Sequence, residues 1–153
     1  MSVYQFEREQ LVPASIEKVW DFMSSPVNLK RITPDYMGFD ITSRELTEKM
    51  FPGMIICYRV SPLLGIKTTW VTEITHVVPN SYFVDEQRVG PYSLWHHMHE
   101  FKEHENGVLM RDVVHYVPPF GFLGDIAQRL IIKKKLEEIF NYRTEELKKI
   151  FPH

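Results

Sequence analysis

At 153 residues, with 44% hydrophobic and 25% charged content, the chain has room for one domain over residues 1–153 and is too ordinary in composition for a disordered or fibrous protein. A formal net charge of −2 gives no drive towards nucleic acid or an anionic membrane, and no run of about 18 apolar residues is present to span one. A single cysteine, Cys57, excludes an intramolecular disulfide and a CxxC redox pair.

The opening MSVYQFEREQ has no apolar run, so no signal peptide is expected and a cytoplasmic location is. Val3 to Val12 alternates, with Tyr4 and Phe6 on one face and Gln5 and Glu7 on the other, and reads as a strand that Pro13 ends. Ser15 then precedes Ile16, Val19, Trp20 and Met23 at helical spacing, and its hydroxyl suits an orphan amide of the first turn. Pro26 breaks this helix and starts a second, through about Ile32, which Thr33-Pro34 stops. From Phe39 the period changes. Phe39 to Ser43 and Ile55 to Ser61 read as strands, with a further strand over Glu45 to Phe51 and a turn at Pro52-Gly53. Pro62-Leu63-Leu64-Gly65 is an apolar loop that needs cover: a helix above it, a cavity mouth, or a subunit contact as in a homodimer.

The following stretch, Tyr82 to Pro119, carries five of the seven histidines, and His76 lies just before it. Pro79-Asn80 separates the run Lys67 to Val78 from the run Ser81 to Val89. A two-residue loop there pairs His76 with Phe83, Ile74 with Asp85 and Thr72 with Gln87, so that Trp70, Thr72, Ile74, Phe83, Asp85 and Gln87 share a face. Asn106-Gly107 is a second, stronger hairpin signal. With those two residues as the loop, Phe101 lies opposite Asp112, His99 opposite Val114 and His97 opposite Tyr116. Trp95, His97, His99, Phe101, Met110, Asp112, Val114 and Tyr116 then line one face, with His96, Glu100, Lys102, Arg111 and His115 on the other. Aromatic walls with sparse polar groups suit a ligand cavity better than a dry core.

Pro118-Pro119 closes the sheet region, and Asp125 is positioned to cap a long helix to about Ile150. Its inner stripe reads Leu130, Ile132, Leu136, Ile139, Phe140, Leu147 and Ile150, with Lys133, Lys134, Lys135, Glu137 and Glu138 outside. The pattern predicts an α+β fold in which a seven-stranded antiparallel sheet bends around one long helix, with two short helices after the first strand closing an end. Three stretches carry a family resemblance: VPASIEKVWDFMSSPVNLKRITP, FVDEQRVGPYSLWHHMHEF and VHYVPPFG. They resemble the START-like or SRPBCC superfamily, the polyketide cyclase/dehydratase and lipid transport group, and within it a bacterial ligand-binding subgroup. The resemblance implies the helix-grip fold of the birch pollen allergen, an apolar cavity between sheet and helix, and no cofactor.

Fold leaves chemistry open. The expected ligand-binding residues are Trp70, Thr72, Phe83, Asp85, Gln87, Trp95, His97, His99, Phe101, Asp112 and Tyr116, around a small hydrophobic or aromatic molecule with one polar end. The same cavity would serve a cofactor-independent cyclase or dehydratase in which His97, His99 and Asp112 move protons, through a His99–Asp112 or His97–Tyr116 hydrogen bond. His97, His99 and Asp112 also have the composition of a two-His-one-carboxylate metal site, but a carboxylate more often orients a histidine than shares a metal with it, and no metal is expected. The bland alternative is that these groups satisfy one another in the core. A further reading makes Pro118 to Leu123 and Pro62 to Leu64 an apolar rim for docking another protein. Trp20 is assigned to helix packing, and His96, His104 and His115 to the surface. No P-loop, GxGxxG, GxSxG or zinc-spaced cysteines occur.

Overall fold

The structure is a computed structural model that describes residues 2–61 and 65–153; the apolar loop at 62–64 lies outside the described residues. Among those described, seven strands form one antiparallel sheet in the order β1-β7-β6-β5-β4-β3-β2. They are β1 (Tyr4–Val12), β2 (Asp40–Ile41), β3 (Met54–Val60), β4 (Thr68–Val78), β5 (Tyr82–Val89), β6 (Leu94–His104) and β7 (Gly107–Val117). Strands β2 to β7 are a meander of sequential neighbours, and β1 adds at the far edge by pairing with β7. Helices α1 (Ile16–Met23) and α2 (Pro26–Arg31) connect β1 to β2, and α3 (Gly121–Ala127) runs through a π turn at Gln128–Ile132 into α4 (Lys133–Ile150).

The expected helix starts form as read. Lys18 N donates to Ser15 Oγ at 3.4 Å, and Pro26 is the first residue of α2. Two expectations fail. Glu45 to Phe51 is not a strand, because the segment is taken up by the end of α1: Met50 N donates to Ser24 O at 2.9 Å and Lys49 Nζ pairs with Asp21 at 2.6 Å. The C-terminal helical segment starts at Gly121, after Phe120 in the left-handed region, so Asp125 lies inside it and accepts from Tyr4 Oη at 2.8 Å instead of capping.

Both hairpins have the predicted faces and different loops. Between β6 and β7, His104 pairs with Gly107, so the loop is Glu105-Asn106 and the register moves by two residues: Phe101 faces Met110, His99 faces Asp112, His97 faces Val114 and Trp95 faces Tyr116. An even shift leaves every side chain on its face. Gly107 takes the positive φ, 139°, and a Cβ there would stand 2.1 Å from the Val12 carbonyl oxygen of β1. Between β4 and β5 the loop has three residues, with Val78 facing Tyr82 and Asn80 at φ 60°. That pairs Phe83 with Val77 instead of His76, but a bulge at Thr75 takes up the extra residue and returns Ile74 to Asp85 and Thr72 to Gln87, as read from the sequence.

Two apolar clusters fill the concave side. The first, under α1, includes Val19, Met23, Phe83, Phe101 and Val108, with the Trp20 ring edge-on to Phe101 at 5.3 Å. The second joins Val60, Trp70, Val114 and Tyr116 to Ile132, Leu136 and Phe140 of the C-terminal helix. Burying each such side chain contributes roughly 1.5–3 kcal/mol. Leu130 is not on this inner stripe: it is 71% exposed, because the wide π turn puts Gln128 and Ile132 inward and turns the residue between them out.

Candidate functional site

The junction between the two apolar clusters is polar. His97 and His99, two residues apart on β6, project from one face and stack with ring centroids 3.6 Å apart. Phe83 stacks beneath His99 at 4.0 Å, and Phe140 lies edge-on to His97 at 5.8 Å. The flanking strands each supply a carboxylate. His97 Nε2 is 2.8 Å from Asp112 Oδ1 of β7, and His99 Nε2 is 2.5 Å from Asp85 Oδ2 of β5. These partners differ from the expected ones: Asp112 bonds His97, not His99, and Tyr116 donates to Gln128 at 2.9 Å instead of meeting His97. His99 Nδ1 is 3.3 Å from Asp112 Oδ1 without hydrogen-bond alignment. From α4, Arg143 brings Nη1 to 3.6 Å of the same Asp112 oxygen.

Burial and charge act against each other here. Burial by itself would push the Asp112 carboxyl up, but Arg143 and the two imidazoles hold it well below the usual carboxylate range. At Asp85 the same opposition, with His97 and His99 outweighing burial, also lowers the carboxyl. His97 is lowered by burial and then by the charge of His99. For His99 burial acts downward as well, but the carboxylates of Asp112 and Asp85 prevail and raise it. The two imidazoles are thus pushed apart, His97 towards its neutral form and His99 upward, beside two carboxylates and one guanidinium.

Beside this network a cavity of about 150 Å³ lies between the sheet and α4, its outer side lined by α2 and the turn after it. Leu29, Ile32, Tyr58, Trp95, Leu136 and Phe140 supply apolar walls; Asp85, His97, His99 and Arg143 supply the polar part. Trp70 also lines it. The other expected site residues support this lining from behind. Thr72 bonds Tyr58 Oη at 2.6 Å, and Phe83 and Phe101 belong to the cluster under α1. Asp112 orients His97, and Tyr116 anchors the π turn through Gln128. Gln87 clasps the backbone of Tyr92, donating to its carbonyl at 2.7 Å and accepting from its amide at 3.0 Å.

The lining groups that the expected site left out include Arg143 and Tyr92. Arg143 sits three residues after Phe140 and four before Leu147, on the apolar stripe of α4, and a cation at that phase is the signal that could have found it. Tyr92 gives no signal in its own short loop. For a metal, the atoms that converge belong to Asp85, His97 and His99, all within 4.8 Å of one another, whereas Asp112 bonds the far nitrogen of His97. The Arg143 charge beside Asp112 opposes a cation there. On the outside, Phe120, Phe122 and Leu123 of the expected docking rim are exposed; its other segment, at 62–64, is outside the described residues.

Comparison with known proteins agrees with this architecture. The family model described as polyketide cyclase / dehydrase and lipid transport matches residues 12–139. Nothing among the curated proteins matches the chain. Among solved structures, protein CV1439 from Chromobacterium violaceum superposes with a TM-score of 0.72 at 14% identity, over 97% of each chain. The di-domain ARO/CYC StfQ from the steffimycin biosynthetic pathway gives 0.72 at 11% identity, over 97% of this chain and 51% of that one. Ara h 8.0201 gives 0.60 at 16% identity, over 95% and 98%. At these identities the likeness is one of fold.

Proposed function

The chain belongs to the polyketide cyclase/dehydrase and lipid transport family, and on that premise we propose that it binds a small hydrophobic or aromatic molecule, with one polar end, in the cavity between sheet and α4. The observation that carries this reading is the composition of the lining: aromatic and aliphatic walls around one cluster of oriented polar groups, Asp85, His97, His99 and Arg143. Such walls contribute affinity by excluding water, while a few fixed polar groups choose the ligand's orientation. The test is native mass spectrometry of the purified protein, with organic extraction and a metal scan on the same sample. A co-purifying small molecule near one per chain supports the reading. A stoichiometric transition metal with no organic ligand would replace it with a metal centre at Asp85, His97 and His99.

A second reading is favoured by one feature: each imidazole already has its own carboxylate. A histidine held this way can take a proton from carbon next to a ketone and return it to a departing hydroxyl, so that a double bond forms and water leaves. This would be a cofactor-independent dehydratase or cyclase in which His97, His99 and Asp112 handle the protons, with Asp85 orienting His99. His99→Ala that abolishes turnover while ligand affinity is kept selects the enzyme; loss of affinity alone selects the binder.

A further inference from the structure

Among the described residues, five buried side-chain polar atoms lack a hydrogen-bond partner: Ser24 Oγ, Trp70 Nε1, His99 Nδ1, and Nε and Nη2 of Arg143. All but the first belong to residues that line the cavity. Elsewhere the buried polar groups are matched, as Thr72 is to Tyr58 and Tyr116 to Gln128. An unmatched buried donor costs about 1–3 kcal/mol, so a cluster of them around one cavity marks where acceptor atoms belong.

Their chemistry is one-sided. Indole and guanidinium N–H groups donate and cannot accept. Nε–H and Nη2–H lie on one edge of the planar guanidinium, the edge that grips the two oxygens of a carboxylate with parallel bonds. Nη1, on the other edge, is turned to Asp112. Asp112 offsets the Arg143 charge only in part, since the same oxygen is bonded to His97. Asp85, the carboxylate that opposes an incoming anion, is already engaged by His99 at 2.5 Å.

Size restricts the remainder of the ligand. A cavity of about 150 Å³ is matched in size by one six-membered ring. Resting on the binding reading above, we propose that the ligand is a single-ring aromatic carboxylate: its carboxylate is taken by Arg143, its ring packs among Trp95, Leu136 and Phe140, and the N–H of Trp70 serves a second acceptor oxygen. Arg143 Nε and Nη2 and Trp70 Nε1 are all closed to solvent as they stand, so binding swings the guanidinium and tilts the indole towards the cavity that both residues already line.

The test is calorimetric titration with benzoate, acetophenone and benzamidine, which share the ring and differ in the charge of the head. Benzoate is expected to bind about tenfold or more tightly than acetophenone, with benzamidine weakest, because a paired charge roughly doubles the strength of each hydrogen bond. Arg143→Met is expected to erase the preference for benzoate while acetophenone changes by less than about twofold. Trp70→Phe, which keeps the ring and the fold, is expected to weaken benzoate by about threefold. Acetophenone or benzamidine binding as well as benzoate would overturn the carboxylate assignment and leave a neutral-ligand cavity standing. No binding by any of the three would overturn the single-ring cavity itself.

Discussion

His97 and His99 stack at 3.6 Å, yet each is bonded to a different carboxylate on a different neighbouring strand. Two adjacent imidazoles cannot both carry a proton cheaply, and the structure separates them: His99 is raised above its ordinary 6.5 and His97 is lowered below it. An NMR titration of the ring protons should show one imidazole step on each side of 6.5. Two overlapping steps near the ordinary value would contradict the arrangement.

The same pair predicts opposite pH effects on stability. The His99 contribution is fully present below 6.5 and is lost as pH rises through its higher folded value. His97 is buried neutral, so stability falls as pH drops below 6.5, where the unfolded chain takes up the proton first. Urea midpoints measured across this range should therefore lose their alkaline slope in His99→Phe and their acid slope in His97→Phe.

Asp112→Ala would leave Arg143 and His97 without their shared carboxylate. Breaking a buried charge pair from one side costs about 3–5 kcal/mol, so denaturation at neutral pH should show a loss of that order. The folded carboxyl lies well below 3.8, so its contribution is present above that value and disappears as pH falls through the folded one. The variant should accordingly lack part of the wild-type acid transition.

Gly107→Ala places a methyl 2.1 Å from the Val12 carbonyl, at a backbone angle that side chains rarely adopt. The edge strand β1 must then shift, at a cost of roughly 2–4 kcal/mol in unfolding free energy, read as a lower urea midpoint.

Gln87→Ala removes both bonds that hold the Tyr92 backbone. Stability should fall by about 1–2 kcal/mol, and amide exchange at Tyr92 should rise more than at Val114 in the sheet interior. Tyr92 lines the cavity and packs edge-on to Trp70 at 5.7 Å, so the same variant should weaken ligand binding without touching a ligand.

What the amino-acid order made legible was faces. Alternation put Trp70, Asp85, His97, His99 and Asp112 on the concave side, and the stripe of Leu136, Phe140 and Leu147 identified the covering helix. Loop lengths were less legible, because Asn80 and Gly107 accept positive φ in more than one turn, and the bulge at Thr75 leaves no mark of its own in the residue pattern. The carboxylate partners were not set by register alone, since Asp112 stands opposite His99 and yet bonds the diagonal His97. Arg143 was passed over because a long side chain on an apolar stripe is usually read by its neighbours, and only the sheet opposite reveals that it meets Asp112.

The hairpin register gives the polar cluster a second consequence, for folding. A β6–β7 pairing displaced by two residues keeps every apolar side chain facing inward, so hydrophobic burial hardly distinguishes it from the native one. The displaced sheet would put Asp112 opposite Phe101, carry it out of reach of His97 and leave His99 as its one diagonal imidazole. The native pairing puts Asp112 opposite His99 and within reach of His97 and Arg143. The charges around the cavity thus act as a checksum on strand alignment: a displaced pairing separates Asp112 from His97 while the apolar faces stay unchanged, before any ligand has been met.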